Sequence, residues 1–107
     1  MSWYILTTDN EPVAVSITEA AKWLEENIHR NVLKQDTLEN DQGDKIFVST
    51  VFLGLDRSWS NKGLILWETM IFGGINDQYQ ERYNSHEDAL EGHQRAINLI
   101  KQENGEK

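Results

Sequence analysis

Residues 45–72 read KIFVSTVFLGLDRSWSNKGLILWETMIF. Two runs dense in β-branched and aromatic residues flank a polar loop, Asp56 to Gly63, and that pattern predicts two strands paired as a hairpin. Alternation along the first run puts Phe47, Ser49, Val51, Leu53 and Leu55 on one face, with Ile46, Val48, Thr50 and Phe52 on the other. In the second run Glu68 shares a face with Leu66, Met70 and Phe72, opposite Ile65, Trp67, Thr69 and Ile71. A strand apolar on both faces belongs in the middle of a sheet, covered on two sides or with one face buried in an oligomer.

Outward from this hairpin, Gly73-Gly74 ends the second strand, and Gln78 to Tyr83 reads as a third strand of a meander. Tyr79, Glu81 and Tyr83 fall on one of its faces, Gln80 and Arg82 on the other. Ser85-His86-Glu87-Asp88 then opens a helix with a capping-box-like S-x-x-D. Its inward stripe is Ala89, Leu90, His93, Ala96, Ile97 and Ile100, and residues 101–107 read as a frayed polar tail. Upstream, Val32 to Leu38 predicts a strand and Glu39-Asn40-Asp41-Gln42-Gly43-Asp44 a turn. Trp3 to Thr8 and Val13 to Val15 predict two more strands around a turn at Asp9 to Pro12. Ser16-Ile17-Thr18-Glu19 fits a capping box, followed by a helix with Ile17, Ala20, Ala21, Leu24 and Ile28 at helical spacing. Trp23 borders that stripe in a packing role, Arg30 falls on the polar side, and His29 sits near the helix end. The expected fold is α+β: one domain over 1–107, in two layers, an antiparallel meander of roughly four to six strands packed against two helices.

Composition narrows the chemistry. The 107 residues include no cysteine, so disulfides, a thiolate nucleophile and Cys-ligated metal are excluded. Eighteen acidic against ten basic residues give a net charge of −8. Direct nucleic-acid binding is not expected of such a chain, because phosphate counterions must be replaced by Lys and Arg. The same charge suits a protein partner with a basic surface. No apolar run approaches the roughly 20 residues of a membrane span. The N-terminus lacks the basic region of a signal peptide, so a cytoplasmic location is expected.

The residues that could carry catalysis are Asp56, Glu68 and His93, with Arg82 beside them; a helix covering the face of Glu68 would bring it to His93. No cofactor and no metal site are expected: His86 and His93 are seven apart, rather than at the four-residue spacing of H-E-x-x-H. Asp36, Glu39, Asp41 and Asp44 concentrate carboxylates where a basic partner could dock, and their spacing does not fit an EF-hand. Arg57, Trp59, Lys62 and Arg82 offer cations and an aromatic ring for a small ligand such as a nucleotide.

Two stretches carry a resemblance: Val48 to Asp56 (VSTVFLGLD) with Leu66 to Gly74 (LWETMIFGG), and Glu81 to His93 (ERYNSHEDALEGH). They resemble a family of small bacteriophage and prophage proteins with an F-L-G-L-D, F-E-T-M and R-Y-S-T-W pattern. Trp67 stands here for the usual Phe, and Asn84-Ser85-His86 for Ser-Thr-Trp. The resemblance covers the C-terminal half and implies a phage context. Together with the charge, it leads to the expectation of a non-enzymatic inhibitor that occupies a basic surface on a host defence protein, such as a CRISPR effector, in the host cytoplasm. A binder that sequesters a nucleotide signal and a small hydrolase or nuclease using Asp56, Glu68 and His93 are the alternatives, and a homodimer is left open by the two-sided apolar strand.

Overall fold

A computed structural model describes residues 3–55 and 65–103. The elements run β1 (Trp3–Leu6), β2 (Pro12–Val15), α1 (Ile17–Glu26), α2 (Ile28–Asn31), β3 (Val32–Glu39), β4 (Lys45–Phe52), β5 (Trp67–Phe72), β6 (Gln80–Tyr83) and α3 (His86–Glu103). Strands β3-β4-β5-β6 form an antiparallel meander in chain order, and β1-β2 form a separate two-stranded ribbon. The α+β meander read from the sequence is therefore present, with the first two strands outside the main sheet.

Register follows alternation. Val48 pairs with Ile71, Thr50 with Thr69 and Phe52 with Trp67, all buried on one face. Tyr83 extends that face across from Trp67. Helix α3 lies over it with Ala89, Gly92, His93, Ala96, Ile97 and Ile100, spaced three and four apart, pointing inward. Leu90, expected in this stripe, is instead 41% exposed. Gly92 takes the inward place because an added Cβ would sit 2.0 Å from the Tyr83 hydroxyl oxygen, so only glycine lets the helix approach that ring. The helix also continues through residues 101–103, where a frayed tail was expected.

Two apolar clusters result, Phe52-Leu66-Trp67-Tyr83-Ala89 with Leu6 at one end and Ile46-Val48-Ile71-Ala96-Ile97-Ile100 at the other. Ala and Gly on the helix match large rings on the sheet, which sets how closely the two layers approach.

The N-terminal elements hang on the first cluster. Ser16 and Glu19 form the expected capping box, with Ser16 Oγ accepting from the Glu19 amide at 3.2 Å. The helix it opens does not bury the expected stripe: Ala20 is its buried residue, while Ile17 and Leu24 are exposed and Ile28 belongs to α2. Trp23 does the packing, edge-on to Phe52 at 5.8 Å between ring centroids. Arg30, on the side read as polar, stacks on Trp23 at 5.6 Å and donates to the carbonyls of Leu6 and Thr7 and to Asn10 Oδ1. This one guanidinium ties α2 to the β1-β2 turn, satisfying carbonyls that leave the ribbon. Tyr4 N donates to Gly54 O at 2.7 Å, fastening the ribbon to the end of β4.

Candidate functional site

The sheet sorts the chemical candidates between its two faces. Glu68 faces away from α3. Its carboxylate accepts from Arg82 Nε at 2.8 Å and from Gln80 Nε2 at 2.5 Å, all three on the same open face. His93 lies under the opposite face. The expected meeting of Glu68 and His93 is therefore corrected: β5 alternation separates them by the thickness of the sheet.

His93 instead sits inside a polar chain. Its Nδ1 lies 2.7 Å from Thr50 Oγ1, which is 2.5 Å from Thr69 Oγ1, and its Nε2 is 2.7 Å from Asp36 Oδ2. Asp36 as a carboxylate can only accept, so Nε2 carries hydrogen. A neutral ring then accepts at Nδ1 from the Thr50 hydroxyl, and Thr50 accepts from Thr69. The order carboxylate–imidazole–hydroxyl has the polarity of a nucleophilic triad. Its hydroxyl end, however, is sealed: Thr50, Thr69 and His93 are fully buried, so no acyl or phosphoryl group can reach Thr50 Oγ1. The chain is a strut joining β3, β4, β5 and α3, with each buried polar atom satisfied by the next.

A second network lies at the edge of that helix-covered face. Tyr79 Oη donates to Glu81 Oε2 at 2.8 Å, and Arg95 from α3 donates to Glu81 Oε1. Burial and the neighbouring Glu81 push the Tyr79 hydroxyl up to about 12. Burial also works to raise Glu81, but the hydrogen bonds from Arg95 and Tyr79 outweigh it and hold the carboxyl below its ordinary value. Burial likewise raises Tyr83, whose hydroxyl approaches Thr69 and Glu81 without meeting hydrogen-bond geometry to either.

The acidic hairpin does not form one surface. Asp36 turns toward α3 and is held by His93, and Glu39 pairs with Lys45 at 3.0 Å. Asn40 Oδ1 accepts from the amides of Gln42 and Asp44, closing the turn that exposes Asp41 and Asp44. Of the four, only those last two lack a basic or imidazole partner among the described residues. Glu25 and Glu26 on α1 and Glu87, Asp88 and Glu91 on α3 are further exposed carboxylates without one. Trp23 of α1 and His86 of α3 stand at the two ends of a ring series Trp23–Phe52–Trp67–His86, with centroid steps of 5.8, 5.6 and 6.5 Å, so these acids lie on two separated helices. The sequence reading did not single out these helix acids because each helix alone looks like an ordinary solvated surface.

Asp56, Arg57, Trp59 and Lys62 lie outside the described residues. Arg82 is engaged by Glu68. No group of three or more His, Asp or Glu side chains among the described residues is gathered closely enough to hold a metal ion, and no described helix is long and apolar enough to cross a membrane. One cavity went unanticipated: about 310 Å³ between α1, β1 and the end of β4, lined by Trp3, Tyr4, Ile17, Trp23, Leu24 and Phe52 among others. Its lining is drawn from four separate stretches of chain, which is why sequence spacing gives no sign of it.

Comparison of the chain with family models, with curated proteins and with solved structures finds no match in any of the three.

Proposed function

We propose that the protein acts by binding rather than by catalysis, presenting carboxylates to a basic surface on a protein partner. The observation that carries this reading is the partition of charge. Glu39, Glu68 and Glu81 are paired with Lys45, Arg82 and Arg95, while the excess acids stand exposed on α1, on the first turns of α3 and in the β3-β4 turn. An array of fixed carboxylates on a folded support accelerates encounter with a basic surface and competes with the phosphates such a surface normally holds. In the phage setting suggested by the motifs, the partner is a host nucleic-acid-binding defence protein, of which a CRISPR effector is the concrete instance, and both act in the host cytoplasm.

The test is capture of partners from bacterial lysate at low and high salt, using wild type and two neutralised variants. One carries Asp41→Asn and Asp44→Asn; the other carries Glu25→Gln, Glu26→Gln and Glu91→Gln. A stoichiometric nucleic-acid-binding protein, lost at high salt and in at least one variant, supports the reading. Capture that ignores salt and both variants sinks it.

A second reading, sequestration of a small ligand, is favoured by the cavity beneath α1. Its volume and its aromatic lining suit one apolar or flat molecule. That ligand would raise the thermal midpoint by an amount that grows with the logarithm of its concentration over Kd, and Ala21→Trp would abolish the gain by filling the space.

A further inference from the structure

We propose that the uncovered face of the four-stranded sheet is the interface of a homodimer, with a second copy of this chain packed on it sheet against sheet. This inference does not depend on the acidic surface having a partner.

Residues of one sheet face normally turn polar where no helix covers them. Here Phe47 and Phe72 are direct cross-strand neighbours on the face opposite α3, and they remain 50% and 41% exposed. Val51 and Met70 extend the apolar surface along the same strands. Aromatic pairs of this kind gain most when desolvated against another surface.

Charge selects the occupant. The strand residues of this face carry two acids and two bases, closed into the pairs Glu39–Lys45 at 3.0 Å and Glu68–Arg82 at 2.8 Å. Their sum is zero in a chain of net charge −8. Two identical acidic molecules repel over most of their surfaces, and a neutral apolar face is where they can meet. A basic partner would gain no charge complementarity there. Shape agrees: beside the Phe pair lies a hollow of about 450 Å³, lined also by Gln35, Thr37 and Ser49. A ridge adjacent to a hollow is self-complementary under a two-fold axis.

The edges steer association away from strand addition. β3 has an irregular register between Val32 and Lys34, and β6 is four residues long; both features blunt edge pairing. Four strands of four to eight residues, at about 4.8 Å spacing and about 3.3 Å rise, give a flat footprint of roughly 400 Å² per copy. That is at the small end for specific interfaces, so the dimer is reversible and concentration-dependent.

Sedimentation velocity from about 1 µM to about 1 mM reads this directly. Wild type is expected to pass from one chain to two across the range. Phe47→Glu and Phe72→Glu should each weaken association at least roughly tenfold, whereas Leu90→Glu, on the exposed side of α3, should leave it unchanged. A chain that stays single at the highest concentration overturns the proposal, as does a dimer insensitive to both Phe substitutions or one lost with Leu90→Glu. Because the chain contains no cysteine, Ser49→Cys offers a spin-label site on the same face that needs no disruptive change. A concentration-dependent label–label distance under about 20 Å, from two faces packed about 10 Å apart, supports the proposal; a dimer without that distance places the interface elsewhere and overturns it.

Discussion

Nε2 of His93 on α3 lies 2.7 Å from Oδ2 of Asp36 on β3, although the two residues are 57 positions apart in the chain. Through Nδ1 the same ring reaches Thr50 on β4, so one imidazole fixes the helix against two strands. Asp36→Ala removes the acceptor for a buried Nε2–H, and Thr50→Val removes the partner of Nδ1 and of Thr69. Each substitution should cost about 1–3 kcal/mol in urea unfolding, the cost of leaving a buried polar group unpaired. Both act through His93, so the double variant should lose less than the sum. Strict additivity would mean that the strut does not behave as a unit.

Gly92 gives a prediction in which local propensity and packing have opposite signs. In an exposed helix interior, Gly→Ala stabilises by about 1 kcal/mol. Here the new Cβ would fall 2.0 Å from Tyr83 Oη, and 2.2 and 2.3 Å from ring carbons. Gly92→Ala should therefore lower the thermal midpoint. Tyr83→Phe should not rescue it, because the ring carbons remain in the way, whereas a smaller side chain at position 83 should relieve part of the loss.

These two sites mark the limit of what the sequence discloses. The strands of the meander and the sorting of their faces were legible, because β4 and β5 alternate cleanly. Which face α3 covers was not. Both faces of β4 are apolar, so nothing local distinguishes Thr50 and Thr69 from Ser49 as neighbours of His93, and the condition for Glu68 to meet His93, a helix over its face, is not met. Asp36 lay hidden among the hairpin acids because its role depends on β3 register, itself set by the Asn40 turn and by the irregularity near Val32. The α1 stripe misled for a different reason. Ile17 and Leu24 follow helical periodicity, yet Trp23 buries more surface from a neighbouring angle and determines how the helix sits.

The turn glycines should differ in tolerance even though both have positive φ. Gly43 has φ of 84° and Gly73 of 96°. A Cβ on Gly43 would lie 3.5 Å from the Glu39 carboxylate, an ordinary contact, but one on Gly73 would lie 2.8 Å from the backbone carbonyl of Lys45. Gly43→Ala thus carries the conformational cost alone, about 1 kcal/mol. Gly73→Ala adds a clash that only movement of β4 could relieve. Parallel urea titrations should rank Gly73→Ala as the more damaging, and equal losses would contradict the close approach.

The Tyr79–Glu81–Arg95 network predicts opposite responses at the two ends of the pH scale. Tyr79 holds its proton until about 12 in the folded chain against an ordinary value of 10.0, because burial and Glu81 disfavour the phenolate. Between those values the unfolded chain has released a proton that the folded one retains. This contribution is therefore complete below pH 10 and is lost as pH rises through 12. Glu81 behaves inversely. Its folded value lies below the ordinary 4.5, since Arg95 and Tyr79 outweigh burial, so its contribution is present above that value and is lost as pH falls through the lower one. Urea midpoints measured across both ranges separate the two. Tyr79→Phe should flatten the alkaline decline and, by removing one of the hydrogen bonds that hold Glu81 low, also shrink the acid one, which Arg95 then supports; Tyr83, also raised by burial, preserves some alkaline slope in that variant. Glu81→Gln should flatten the acid decline and, by removing the charge beside the phenol, reduce the alkaline one as well. An alkaline profile that is identical in wild type and in Tyr79→Phe would detach Tyr79 from this linkage.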